Sequence, residues 1–192
     1  GCGGWAYDML VACSSATFGI MSASNALLGG TAKTVLVISP EITTPQINFR
    51  DRDSHFIFGD VATAVIIEKE ETVTSDHPFK ILAQKPMTTF SNNIRSNFGH
   101  TNHCDEETMH NSDKMFVQHG RKVFKEVLPM VYSLIDEQMS KCNLQASDLK
   151  RLFLHQANIN MNTFVARKIL GREPIGKEAP IILNEFANTA SA

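Results

Sequence analysis

Two short apolar runs, Thr34–Ser39 (Thr-Val-Leu-Val-Ile-Ser) and Val61–Glu68 (Val-Ala-Thr-Ala-Val-Ile-Ile-Glu), constrain the fold of this 192-residue chain more than any other feature. Both are rich in β-branched residues, and their apolar positions are consecutive rather than alternate, the pattern of a strand covered on both faces. Strands of that kind lie under helices, so the two runs predict central strands of an α/β fold. Ala6–Ala12 reads as another buried strand, feeding a helix from about Ser14 to Leu28 that Gly29-Gly30 ends by offering a left-handed position. Thr43–Ser54, with Pro45, Asn48 and the charged cluster Arg50-Asp51-Arg52-Asp53, reads as a surface loop. Phe79–Gln84 reads as an outer strand.

Past Pro86 the chain turns polar as far as Asn111, which marks a linker or excursion between residues 1–85 and 113–192. From Asp113 to about Lys141, Met115, Phe116, Val123, Val127, Met130, Val131, Leu134 and Ile135 fall largely on one helical stripe. Ser147-Asp148-Leu149 predicts a capped turn, and Arg151–Leu154 a strand that ends at His155. A second helix then runs to about Leu170, with Met161, Phe164, Val165 and Ile169 inward and Gly171 as its stop. The apolar run Pro180–Leu183 leads into Asn184–Ala192.

Composition excludes several functions. A net charge of −2 gives no bulk attraction to nucleic acid or an anionic membrane. No apolar run reaches the roughly 18 residues of a membrane span, and no charged region followed by an apolar core opens the chain. Cys2, Cys13, Cys104 and Cys142 are widely spaced without a CxxC pair, the usage of a reducing compartment, so a cytoplasmic protein is expected. His100, His103, Cys104, Asp105 and His110 share one polar stretch but lack the regular spacing of a structural zinc site, so no metal is expected.

The chemistry concentrates at three junctions. Cys13 stands where an apolar segment gives way to a helix, and a helix N-terminus favours a thiolate, the nucleophilic form, over a thiol. The competing reading is a small buried hydrophobe. His155, in His155-Gln156-Ala157-Asn158, repeats that placement, and strand ends are where open α/β sheets carry their chemistry. Asn188 sits at a third junction, and Ala187-Asn188-Thr189-Ala190-Ser191 is patterned like Ala12-Cys13-Ser14-Ser15-Ala16, which suggests two related halves. Taken singly, a histidine satisfied by its surroundings and a helix-capping asparagine account for His155 and Asn188.

Together, Ala12-Cys13, Phe58-Gly59-Asp60, Gly120 with Val123-Phe124, His155-Gln156-Ala157-Asn158 and Asn188-Thr189 resemble, in order and along essentially the whole chain, the β-ketoacyl-acyl carrier protein synthase III group of thiolase-like condensing enzymes. The resemblance implies an αβαβα layered sandwich of two similar halves in a chain of roughly 300 residues or more. On that reading residues 1–85 are the latter part of the first half, 113–192 are the first part of the second, and the sequence given is incomplete at both ends. An isolated piece of that kind is expected to have little activity.

The resemblance further implies a Cys13, His155, Asn188 site that condenses an acyl-CoA primer with malonyl-acyl carrier protein to initiate fatty acid synthesis, with no cofactor or metal. Cys13 would hold the acyl group, and the His155 imidazole and Asn188 amide would stabilise the enolate left by decarboxylation, each contributing roughly 2–4 kcal/mol. Arg52 matches the position that meets the CoA adenine region, while Gly120, Phe124 and Asn158 match the pantetheine passage. Arg167 and Lys168 match the basic face that receives the acidic carrier protein, and a homodimer is usual. Two alternatives are a polyketide-type synthase using malonyl-CoA and a non-catalytic acyl-binding subunit of the same fold. Asn160 stands where an arginine for carrier docking is usual, Val61-Ala62-Thr63 replaces a glycine-rich continuation, and Ser14-Ser15 replaces smaller residues. These departures leave primer length open.

Overall fold

A computed structural model describes residues 3–96, 106–108, 111 and 114–192. These form two compact units interleaved in sequence: residues 1–41, 62–80 and 190–192 make the first, and 42–61 and 81–189 the second. The composition-based segments 1–85, 86–112 and 113–192 are instead consecutive.

In the first unit, α1 (Ser15–Leu28) packs on β1 (Thr34–Glu41), which is hydrogen-bonded to β2 (Val61–Glu68). Alternate β1 residues, among them Val37 and Ser39, turn inward, and Gly19 of α1 lies so close to β1 that a Cβ there would come within 2.9 Å of Val37 Cγ1. Ala23 and Leu27, one turn apart, are the buried residues of the helix. Gly30 ends α1 in the left-handed conformation at φ 75°, as the Gly29-Gly30 pair predicts.

Two expectations are corrected in this unit, and a third where the chain leaves it after Lys80. Leu36 and Ile38 on β1, and Val65 and Ile66 on β2, are exposed rather than covered, because α1 is the helix packed on this pair among the described residues. Ala6–Ala12 is not a strand: it is mostly exposed and irregular as far as Val11, and Ala12 opens a 3₁₀ turn, since no described strand offers the segment a hydrogen-bonding ladder. Phe79–Gln84 is likewise extended chain without a strand partner, with Phe79 almost wholly exposed.

The second unit is built on α2 (Gly120–Lys141) and α3 (Ile159–Leu170), which bury Leu128, Val165, Ala166, Ile169 and Leu170 together with Leu152. Helix α2 begins later than the apolar stripe suggested. Phe116–Gln118 forms β4, paired antiparallel with β3 (Ile94–Ser96) in the register Arg95↔Val117. Phe116 stacks edge-on against Phe58, with ring centroids 4.9 Å apart, so tertiary packing overrides the helical pattern there. The turn at Ala146–Asp148 carries a reciprocal capping box between Gln145 and Asp148.

Arg151–Leu154 is irregular rather than a strand, held by the Leu152 N–H donating to Glu178 C=O at 2.7 Å. Glu178 in turn accepts two bonds from the Arg172 guanidinium, which lowers its pKa to about 2. Helix α3 starts at the Asn158 cap and stops at Gly171, φ 67°. A one-turn helix, α4 (Leu183–Phe186), precedes Asn188.

Candidate active site

Cys13 lies in a single 3₁₀ turn, Ala12–Ser14, at the entrance to α1. The preceding Ala12 adopts φ 47°, a left-handed conformation that costs a residue with a Cβ about 1–2 kcal/mol. Ser15 holds this turn in place: its hydroxyl accepts the Val11 N–H at 2.9 Å and donates to Ala12 C=O at 2.8 Å. A sharp, strained entry of this kind lifts a nucleophile out of the helix it precedes. The expected stabilised thiolate is corrected, however. Burial raises the Cys13 pKa above its ordinary value, Glu41 raises it further, and the backbone N–H of Cys13 lowers it without reversing the direction. The half-buried thiol is therefore protonated at neutral pH.

In the second unit, His155 keeps an exposed edge while the protein around it lowers its pKa by desolvation, leaving a neutral imidazole at pH 7. Its carbonyl accepts the Ala157 N–H at 3.0 Å, closing the turn that leads to α3. Asn158 is the α3 N-cap, its side-chain oxygen accepting the Asn160 and Met161 N–H groups at 2.9 and 3.2 Å. The two bonds occupy the oxygen and leave the amide nitrogen outside the cap.

Asn188 is buried and is also preceded by an alanine of positive φ, Ala187 at 57°. The parallel between the Ala12-Cys13 and Ala187-Asn188 sequences thus extends to the backbone. Asn188 is held by a parallel bridge to Phe58: its N–H donates to Ile57 C=O at 2.9 Å, and its C=O accepts the Gly59 N–H at 3.0 Å. Gly59 is essential to this approach, since a Cβ there would lie 2.0 Å from Phe186 O. The next residue, Asp60, accepts N–H bonds from Thr43 and Thr44 at 2.7 and 2.9 Å and the Thr44 hydroxyl at 2.6 Å, while Thr43 Oγ1 donates to Gly59 C=O at 2.9 Å. The Phe58-Gly59-Asp60 motif therefore seats both Asn188 and the start of the 43–54 loop.

Within that loop Asp51 is the hub. It accepts the Asp53 N–H and the Ser54 hydroxyl, and the hydroxyl is the main cause of its lowered pKa. Arg52 projects from the loop, exposed and without an ion-pair partner among the described residues. Phe124 packs against the α2–α3 core, whereas Gly120, the first residue of α2, has open space where a Cβ would be. Arg167 pairs with Glu173, and Lys168 lies 4.7 Å above the Tyr132 ring, so both cations already have local partners.

Among the described residues, further exposed cations without a carboxylate ion pair stand at the start of α2. Arg121 and Lys122 occupy the first turn of α2, which contains no acidic residue and where the helix dipole disfavours positive charge, and Lys125 follows in the next turn beside Glu126. Sequence reading missed them, although Gly120-Arg121-Lys122 at a helix start was the available signal. Among the described residues no three His, Cys, Asp or Glu side chains gather to hold a metal, and no helix is long and apolar enough to cross a membrane. His100, His103, Cys104, Asp105 and His110 lie outside the described residues.

Comparison with known proteins places these observations. Residues 7–83 match the family model of 3-oxoacyl-[acyl-carrier-protein (ACP)] synthase III. A β-ketodecanoyl-[acyl-carrier-protein] synthase of Pseudomonas aeruginosa is 54% identical over 189 residues, covering 98% of this chain and 54% of that protein. The crystal structure of 3-oxoacyl-[acyl-carrier-protein] synthase III from Aquifex aeolicus superposes with a TM-score of 0.80 at 22% identity, over 99% of this chain and 55% of the other. A priming β-ketosynthase from a polyketide pathway gives a TM-score of 0.74 at 24% identity, over 97% and 53%. The chain spans about half the length of the curated relatives it matches. It has the α/β thiolase-like fold of these neighbours, and residues 7–83 are similar in sequence to the 3-oxoacyl-[acyl-carrier-protein] synthase III family.

Proposed function

We propose that the protein is a β-ketoacyl-[acyl-carrier-protein] synthase that condenses an acyl-CoA primer with malonyl-acyl carrier protein. The observation that carries the reading is the repeated device at Cys13 and Asn188, each presented by an alanine of positive φ, with His155 at a third helix entrance. Cys13 Sγ attacks the primer thioester carbonyl, the carbon–sulfur bond to CoA breaks, and CoA leaves as its thiol with the proton that Cys13 gives up. Because Cys13 is protonated and His155 is neutral, that proton needs an acceptor during attack, and a neutral imidazole is suited to the task. In the second half-reaction the malonyl carbon–carboxylate bond breaks and carbon dioxide leaves. The His155 N–H and the Asn188 amide stabilise the enolate oxygen. The enolate carbon then attacks the acyl-Cys13 carbonyl, and Cys13 leaves as a thiolate that takes up a proton from solvent to restore the starting thiol.

The name of the Pseudomonas relative supports an eight-carbon primer, since condensation adds two carbons and its product is a β-ketodecanoyl chain. Arg121, Lys122 and Lys125, without ion-pair partners among the described residues, support an acidic carrier protein as the second substrate. The test is intact mass of the full-length protein after incubation with acetyl-, butyryl- and octanoyl-CoA, beside Cys13→Ala. The expected result is an octanoyl adduct that needs Cys13 and is consumed on addition of malonyl-acyl carrier protein. Consumption by malonyl-CoA instead would move the reading to a polyketide-type enzyme, and no adduct with any primer would favour a non-catalytic acyl-binding subunit.

A further inference from the structure

Gln156 is the residue of the His155-Gln156-Ala157-Asn158 run that has no assigned role, and its side chain makes the most specific set of bonds in it. The amide nitrogen donates to Leu154 C=O at 2.9 Å and to Pro180 C=O at 3.2 Å, while the amide oxygen accepts the Ile182 N–H at 3.1 Å. Two carbonyl partners on one end and an N–H on the other fix which way the amide points, because only the nitrogen can donate and only the oxygen accept. The three bonds join the residue before His155 to the start of the segment that carries Asn188. From Ile182, the N-cap of α4, one helical turn and the single residue Ala187 lead to Asn188, whose own backbone is held at Ile57 and Gly59. The short rigid path leaves little slack between the Gln156 staple and the Asn188 amide.

We infer that Gln156 is a positioning residue that holds the His155 turn and the Asn188 segment in register, so that the two donors can meet one enolate oxygen. This rests on the proposed condensing function. An oxyanion site depends on donors being set before the charge develops, and a displacement of about 1 Å can cost on the order of a hundredfold in rate. Cys13 acylation draws on His155 alone, as proton acceptor, and not on its register with Asn188, so the two half-reactions separate a positioning role from a merely structural one.

The experiment uses the full-length protein with Gln156→Met, which removes all three bonds, and Gln156→Glu, which keeps an acceptor for Ile182 but loses both donations. Octanoyl adduct at Cys13 counts the folded active sites. Carbon dioxide release from malonyl-acyl carrier protein is then expressed per adduct. The expected result is a roughly ten- to hundredfold fall in kcat for decarboxylation, KM within about twofold of wild type, and an acylation rate per site that falls much less than decarboxylation, in both variants. If decarboxylation per adduct stays at the wild-type value while only the number of folded sites falls, Gln156 is a structural residue and the inference is overturned. A wild-type protein that forms no adduct and releases no carbon dioxide would overturn the condensing reading, and the role of Gln156 with it. Failure of the variants to differ from an active wild type would overturn only the latter.

Discussion

Replacing Gly59 by alanine is the sharpest test of how Asn188 is held. The added Cβ would lie 2.0 Å from Phe186 O, 3.1 Å from Phe186 C and 3.5 Å from Ala187 Cβ. The first distance is more than 1 Å inside an ordinary carbon–oxygen contact of roughly 3.3–3.6 Å, and the obstacle is backbone that cannot rotate away. Overpacking of this kind costs about 1–3 kcal/mol. Relief requires the 57–59 and 186–188 segments to separate, which weakens the Gly59-to-Asn188 and Asn188-to-Ile57 bonds, each contributing about 0.5–1.5 kcal/mol. The expected loss is therefore about 2–6 kcal/mol, read as a fall of roughly 1–3 M in the urea midpoint by circular dichroism at an m-value of about 2 kcal/mol/M. Gly120→Ala is the matched control: a Cβ there meets nothing within 4 Å, and alanine is the better helix former, so the midpoint should hold or rise. A Gly59→Ala loss under about 1 kcal/mol would refute the close approach as the constraint on residue 59.

Two further outcomes follow from particular groups. Because burial raises the Cys13 pKa from an ordinary value of 9.0, its alkylation by iodoacetamide should climb about tenfold per pH unit through pH 9 without levelling, as the thiolate fraction does; a plateau below about pH 8 would contradict this. Asn158→Ala should cost about 1 kcal/mol in urea unfolding through loss of the α3 cap, whereas Asn158→Asp, which keeps the accepting oxygen at a helix N-terminus, should restore it; equal losses for the two would remove the capping role.

Some of this structure was legible in the chain because it depends on local pattern. Thr34–Ser39 and Val61–Glu68 carry β-branched runs, and both are strands; Gly30 and Gly171 stand where left-handed stops are required. The readings that failed concern partners remote in sequence. Ala6–Ala12, Phe79–Gln84 and Arg151–Leu154 are as apolar as real strands, but composition does not reveal whether a neighbouring ladder exists. Phe116–Gln118 is too short for any period to show, and its identity as a strand comes from Ile94–Ser96 and the Phe58 ring.

The candidate site divides the same way. The placement of Cys13, His155 and Asn188 beside helices was visible, as was the likeness of the two Ala-X turns. The protonation of Cys13 was not, because the helix entrance was weighed without the burial and the Glu41 charge that outweigh it. Nor was the use of Asp60 and Gln156, whose partners at Thr43, Thr44, Pro180 and Ile182 come from other parts of the chain.

The interleaving of the two units bears on how the molecule is made. The chain passes from one unit to the other after residues 41, 61, 80 and 189, so neither unit is a continuous stretch that can finish while the ribosome is still translating the other. The last strap of the first unit is Ser191, whose N–H and hydroxyl both donate to Glu41 across 150 residues. Closing a loop of that length from an open chain costs on the order of 4 kcal/mol in entropy, so this contact is affordable only after the intervening segments have compacted. Folding of the two units should therefore be one concerted event of high contact order, and a chain arrested before residue 190 would leave the Glu41 carboxylate at the end of β1 without its strap.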